Sequence, residues 1–348
     1  MSAPRKGARG PVLVTGASGF IGGALCERLV DSGYEVRGLH RRARVPPRLA
    51  ALEQRGLLAL RCDLVGGEGL EPALRGVKSV IHLAALAYDW GPKEDFERSN
   101  VDATRALLKA SRESGIGRFV YLSSAAVHGF GRHVDTVEDG PFYPHDSAYQ
   151  STKLEAERLV LKEDGPGFRT LAIRACNVYG PGDETSTYEM FRNIEEGVFG
   201  YVGKGEALTC PVYIDDLCEA IVLALEREEL GGLPILVSDG QKVTWKEYAG
   251  RMYELAGGKK KPVSLPAPLA LATAKSLEAG WRVAGKKTGK APPLTVYRIK
   301  QASSDYHFSN ARARALLGFE PKVFYREGLA RAYEAYRAWR ATGEAPSS

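Results

Sequence analysis

A tyrosine and a lysine stand four residues apart in "SAYQSTKLEAERL", as Tyr149 and Lys153. On a helix, that spacing puts both side chains on one face, one turn apart. A free phenol has a pKa near ~10 and exchanges protons poorly at neutral pH. An ammonium beside it favours the phenolate and lowers that value. Ser124 ends the apolar run "RFVYLSS" and could complete the set. A carbonyl becoming an alkoxide needs a hydrogen-bond donor and a proton source. In that chemistry Ser124 holds the oxygen and Tyr149 passes the proton. Ser123 is the neighbouring alternative, with its side chain directed to the other face of the strand.

A second constellation lies at the start of the chain. "PVLVTG" reads as a buried strand, and "TGASGFIGG" follows it with Gly16, Gly19 and Gly22 at three-residue intervals. Glycine reaches positive φ and lets the backbone approach a pyrophosphate at a helix N-terminus. Ser18, Phe20 and Ile21 fill the same turn. The next strand ends "RGLHRRAR", offering Arg41 and Arg42 and no acid. Dinucleotide sites for NAD carry Asp or Glu here for the ribose 2′-hydroxyl, whereas those for NADP carry Arg for the 2′-phosphate. The expected cofactor is therefore NADP(H), with NAD(H) as the alternative; a solvated basic loop is the bland reading of the same arginines.

These residues need a scaffold, and the rest of the chain supplies one. Strand-like and helical segments alternate from "PVLVTG" through "GGALCERLVDSG", "YEVRGLH", "PRLAALEQRG", "LLALRCDL", "GLEPALRGV", "SVIHLAA", "VDATRALLKASRESG" and "RFVYLSSAAV" to "RTLAIRACNV". Strict alternation calls for a parallel sheet with helices on both faces. The expected fold is α/β, a Rossmann doubly wound parallel sheet with a smaller C-terminal substrate-binding lobe. Residues 10–180 form the NADP-binding part; residues 181–340 are mainly the lobe, with some segments returning to the sheet. Residues 258–300 are basic, proline-rich and apolar by turns, without a sheet pattern.

"TGASGFIG" with Tyr-x-x-x-Lys resembles the short-chain dehydrogenase/reductase superfamily, in its extended, NAD-dependent epimerase/dehydratase branch. The resemblance covers nearly the whole chain, through "CDL", "HLAA", "SNVDATRALLKAS", "YLSSAAVHG", "AYQSTK" and "IRACNVYGPGD". It implies that Ser124, Tyr149 and Lys153 are catalytic, with Lys153 also bonding the nicotinamide ribose. It further implies that Asp63 and Leu64 edge the adenine, that Ala84 and Ala85 line the cofactor groove, and that Asn177 and Val178 approach the nicotinamide. His128 stands where the family often has Tyr, and Ala175 where it often has Pro. His128 either faces the substrate or packs in its loop. Ala125 and Ala126 follow Ser124 where sugar-nucleotide dehydratases often carry Asp-Glu, so dehydration is not expected.

Residues 262–300 look like those of 3β-hydroxysteroid dehydrogenase-like proteins, a group close to long-chain 3-keto-acid and dihydroflavonol reductases. An apolar lid over an apolar ketone or alcohol fits that segment. Tyr88 and Trp90 are the candidate substrate contacts, and Trp281 is a weaker one. A nucleotide-sugar 4-epimerase is the alternative enzyme, and a non-catalytic NADP-binding sensor the alternative of another class.

The remaining features are permissive. The net charge of +6 is a mild excess, so nucleic-acid binding is not expected. Five cysteines without a C-x-x-C pair read as buried thiols of a cytoplasmic protein. No signal peptide, spanning helix or metal-ligand spacing is apparent. Leu265–Ala274, beside Lys275 and Lys286–Lys287, is the only stretch suited to peripheral membrane contact. His82 reads as a core histidine, and Asp215–Asp216 as a helix cap and ion-pair site. A homodimer is expected from the family resemblance.

Overall fold

The computed structural model describes residues 9–258, 260, 262–284 and 291–342. Lys286–Lys287 and the ends expected to fray lie mostly outside these described residues. The chain opens with β1 (Arg9–Thr15), α1 (Phe20–Asp31), β2 (Tyr34–His40), α2 (Pro47–Glu53), β3 (Leu58–Arg61), α3 (Leu70–Leu74) and β4 (Ser79–His82). Next, α4 (Lys93–Phe96) passes through a π-helical turn, Glu97–Asp102, into α5 (Ala103–Glu113). Then come β5 (Arg118–Ser124), a 3-10 turn (Ala125–His128), β6 (His133–Thr136), α6 (Ala148–Lys162), β7 (Arg169–Ala175), β8 (Asn177–Tyr179) and α7 (Thr187–Glu196). The later part holds β9 (Gly200–Val202), β10 (Leu208–Thr209), β11 (Pro211–Tyr213), α8 (Ile214–Glu226), β12 (Leu233–Val237), β13 (Val243–Thr244) and α9 (Trp245–Ala256). It closes with β14 (Val263–Leu265), α10 (Ala267–Ala284), α11 (Val296–Ser303), β15 (Tyr306–Phe308) and α12 (Tyr325–Thr342).

Seven strands form one parallel sheet in the order β12-β7-β5-β4-β1-β2-β3. The apolar runs Val12–Val14, Val80–Ile81, Phe119–Leu122, Leu171–Ile173 and Ile235–Val237 are all buried, as a sheet covered on both faces requires. Strand order reverses between β1 and β4, which opens a crevice at their carboxyl ends. Thr15 and His82 pair across those ends. Thr15 Oγ1 accepts the Leu83 and Ala84 N–H groups, both at 3.1 Å, and donates to His82 Nδ1 at 2.7 Å. His82 Nε2 then donates to Thr104 Oγ1 at 2.9 Å, and Thr104 donates to the Asn100 carbonyl at 2.6 Å. His82 is a fully satisfied core histidine under the crevice.

Two differences from the sequence expectation bear on the site and its lobe. The strand through Ser124 stops there instead of running to Val127. Ser124 Oγ accepts the Ala126 N–H at 3.1 Å and turns the backbone into the 3-10 segment. The 258–300 region, which showed no sheet pattern, contains an 18-residue helix, α10. Pro266 and Pro268 sit at the helix start, where a missing N–H costs nothing. The stretch expected to face a membrane turns partly inward. Ala270 and Ala274 are fully buried against Ile299 of α11, with Leu265, Leu271 and Val202 beside them, while Leu269 stays exposed. No helix among the described residues is long and apolar enough to cross a membrane.

Burial pushes the His82 imidazole down to about 3, so the folded state holds it neutral. An unfolded histidine takes up a proton below about pH 6.5. The His82 contribution is therefore complete above that pH and declines as pH falls. From about pH 7.5 to about pH 5, the stability gap between wild type and His82→Gln should narrow by roughly 2 kcal/mol. Urea unfolding at both ends measures it; a gap independent of pH contradicts a neutral, buried imidazole.

Candidate active site

The loop between β1 and α1 is a backbone cradle. Gly16 has φ +67°, and a Cβ there would lie 2.9 Å from the Ala84 nitrogen. A Cβ on Gly22 would lie 2.0 Å from the Gly16 carbonyl oxygen. Gly19 starts α1 without a side-chain cap, and the first helical turn carries no acid. Uncapped N–H groups and the positive end of the helix dipole suit an anion. The cradle and the open helix start fit a dinucleotide pyrophosphate. Ser18, Phe20 and Ile21 are half-buried along this loop. Arg41 and Arg42 are exposed just after β2. Asp63 is exposed and accepts the Val65 N–H at 3.2 Å, and Leu64 beside it is buried. Ala84 and Ala85 follow β4 at the crevice, half-buried. Asn177 and Val178 lie on β8; the Asn177 side chain is held by Thr209 at 2.9 Å and Gln301 at 3.1 Å.

The α6 helix starts with a reciprocal cap in which Ser147 Oγ accepts the Gln150 N–H and Gln150 Oε1 accepts the Ser147 N–H. This fixes the first turn, which carries Tyr149. The structure brings the Ser124 hydroxyl near enough to the Tyr149 phenol to pull its pKa down. Lys153, one turn on, is buried; its Nζ donates to the Leu122 carbonyl at 2.5 Å and lies 4.1 Å from the Tyr121 ring centre. Asn100 braces the helix from behind. Its amide clamps the Leu86 backbone at 2.7 and 3.1 Å and donates to Thr152 at 3.1 Å.

Burial acts oppositely on the pair. It pushes the Tyr149 phenol up, with the Ser124 hydroxyl pulling down. It pushes the Lys153 ammonium down to about 7, with Glu157 opposing it. The lowering of Tyr149 expected from Lys153 is not seen: burial and Ser124 set the shift, and the Lys153 Nζ is directed to the Leu122 carbonyl. A phenol shifted upward is protonated at neutral pH, the form that can donate to a developing alkoxide.

The frame around this pair depends on residues whose roles the sequence reading did not assign. Arg174 on β7 grips Glu157 of α6 at 2.6 and 2.9 Å, and both side chains are almost fully buried. Its third nitrogen donates to the Glu138 carbonyl at 2.6 Å and to His128 Nε2 at 2.9 Å. The other His128 nitrogen donates to the Pro141 carbonyl at 3.1 Å, and Phe142 stacks on the ring. His128 is packed among these partners and neutral: burial pushes it down to about 3, with Arg174 adding to the shift.

Tyr88 is 59% exposed, whereas Trp90 is half-buried with the Arg282 guanidinium 5.7 Å over its ring. Tyr297 of α11 reaches the site instead, with its ring edge-to-face to Tyr149 at 6.5 Å and to Phe130 at 4.7 Å. Its position far down the chain carried no spacing signal. Asp215–Asp216 caps no helix start of its own. Asp216 accepts the Lys322 and Val323 N–H groups and ties α8 to the segment before α12. All five cysteines are free and buried. No cluster of three or more potential ligands for a metal occurs among the described residues.

Residues 12–236 match the model of the NAD dependent epimerase/dehydratase family. A farnesyl-dihydroquinoline-oxide ketoreductase of Stigmatella aurantiaca is 30% identical, over 91% of this chain and 93% of that protein. A 3-beta-hydroxysteroid dehydrogenase of Mycolicibacterium neoaurum is 31% identical, over 94% of this chain and 91% of that protein. The solved structure of MoeE5 in complex with UDP-glucose and NAD superposes with a TM-score of 0.75 at 28% identity, covering 94% of this chain and 99% of that one. The chain belongs to the NAD dependent epimerase/dehydratase family. Within it, the chain is an NAD(P)-dependent oxidoreductase of the extended short-chain type.

Tyr149→Phe removes the phenolic proton and keeps the ring. It should retain cofactor binding and lose about 10²–10⁴-fold in kcat. Cofactor fluorescence titration and steady-state kinetics measure the two, and a near-normal kcat removes Tyr149 from the chemistry.

Proposed function

We propose that this protein is an NADP(H)-dependent reductase that interconverts a ketone and a secondary alcohol on an apolar substrate. The observation that carries the reading is the half-buried Tyr149 phenol near Ser124, with the Tyr297 ring edge-to-face to it and Phe130 packed on Tyr297. When bound, the nicotinamide cofactor exchanges hydride with the substrate carbon. Ser124 donates a hydrogen bond to the substrate oxygen. Tyr149 Oη gives its proton to that oxygen as the alkoxide forms, and takes one back in the reverse direction. Lys153 bonds the nicotinamide ribose and supplies positive charge near the phenol. Arg41 binds the 2′-phosphate, with Arg42 beside it, and the glycine cradle holds the pyrophosphate.

The relatives support an apolar ketone, since one is named for a farnesyl-bearing ketone and another for a steroid. The likeness to MoeE5 with UDP-glucose favours a nucleotide-sugar reading instead. Charge argues against that alternative. Two lobe cations that could meet a diphosphate are already engaged on α11: Arg298 is bound to Asp89 at 2.7 Å and Lys300 to Asp146 at 2.5 Å.

The test is NADPH consumption with a panel of apolar ketones, beside interconversion of UDP-sugars. Ketone-dependent oxidation of NADPH is expected; sugar interconversion without net cofactor change overturns the reading. In the same assay Arg41→Ala should weaken NADPH about tenfold or more and leave NADH within about twofold. Equal loss for both cofactors, or a wild-type preference for NADH, overturns the NADP assignment.

A further inference from the structure

Helix α11 is fastened to separate segments that surround Tyr149. At its start, Thr295 Oγ1 donates to Asp89 Oδ2 at 2.6 Å and accepts the Arg298 N–H at 3.2 Å. Arg298 Nε donates to the same Asp89 oxygen at 2.7 Å. The Val296 N–H is taken by Glu278 of α10 at 2.7 Å. Lys300 binds Asp146, whose own N–H is bonded to Gln150 in the first turn of α6. Gln301 binds Asn177 on β8, and its carbonyl accepts from Trp245. Ile299 is buried against α10.

Tyr297 lies between Thr295 and Arg298, the two residues that grip one carboxylate oxygen. Its backbone is thus fixed against the loop after β4, while Lys300 and Gln301 fix the helix against α6 and β8. The helix cannot carry the ring away from Tyr149 without breaking these bonds, and Phe130 packs edge-to-face on the ring at 4.7 Å. An aromatic ring held at a fixed place beside the reacting hydroxyl limits what can flank the substrate carbonyl. It also gives an apolar face to a group that fits.

We propose that Tyr297 is the specificity-determining wall of the site, and that Asp89, through Thr295 and Arg298, is the positioning residue that holds it. The favoured substrates are ketones with a compact or flat apolar group next to the carbonyl; branching at the flanking carbon collides with the ring. This inference rests on the ketoreductase reading above. Removing the ring acts twice in one direction. A compact ketone loses an apolar contact, and a branched ketone gains room.

The experiment compares kcat/KM for a compact ketone and its homologue branched beside the carbonyl, in wild type, Tyr297→Phe and Tyr297→Ala. The branched-to-compact ratio should rise about tenfold or more in Tyr297→Ala. It should stay near the wild-type value in Tyr297→Phe, which keeps the ring. NADPH affinity, read by nicotinamide fluorescence, should remain within about twofold in both. If Tyr297→Ala does not fold, Tyr297→Leu replaces it, with the same direction expected. A ratio unchanged in an Ala or Leu variant, with wild type reducing ketones, overturns this inference and leaves the ketoreductase reading standing. A wild-type enzyme that binds NADPH and reduces no ketone overturns both.

Discussion

The Arg174 guanidinium joins parts of the chain that must be held in register for the site to exist. One edge of its fork holds Glu157 on the helix that carries Tyr149 and Lys153. The other reaches His128, at the end of the turn that Ser124 begins, and the Glu138 backbone. Arg174 itself sits on β7, paired with Ser123 of β5. Removing one partner of such a buried pair typically costs about 3–5 kcal/mol, because the other charge is left without compensation. Arginine suits this place for its planar fork; lysine could not reach carboxylate, carbonyl and imidazole together. The connection runs further through Glu138, whose carboxylate accepts the Leu236 N–H on β12 at the sheet edge. The Ser124 turn, the Tyr149 helix and the edge strand are thereby referred to one side chain.

Upon this frame the electrostatics follow from burial. Desolvation raises the Tyr149 phenol and lowers the Lys153 ammonium, while the Ser124 hydroxyl and the Glu157 charge moderate each shift. Glu157 thus has two tasks: it anchors Arg174 and keeps positive charge on Lys153. The opposite side of the site is built on different physics. The glycine cradle is defined by absent side chains, and α11 by charge-assisted bonds that pin an aromatic ring.

Much of the sheet was legible because each central strand is a continuous apolar run bounded by turn residues. The family motifs could be read for the same reason: their residues are local in sequence. The α10 helix was not, because residues 258–300 mix basic, proline and apolar residues without a clear period. Ser124's turn looked like strand, since nothing in "SSAAV" reveals that a serine hydroxyl will cap the next amide. Tyr297 and Asp89 are some 200 residues apart in the chain, and only the folded lobe joins them. His128 was read beside Ser124 with two outcomes open, and its place was decided by Arg174, which sequence alone could not bring near it.

The most direct measurement is the kcat of a Glu157→Leu/Arg174→Met double variant, taken at neutral pH and in mild acid. Replacing a buried pair by apolar residues of similar volume is often neutral for stability, so the fold should persist. If the pair holds the Ser124 turn against the Tyr149 helix, kcat should fall by about 10²-fold, the scale expected for an ångström-sized misplacement, and the loss should persist at pH about 6, where Lys153 holds its proton more fully. A folded double variant with wild-type kcat contradicts the account.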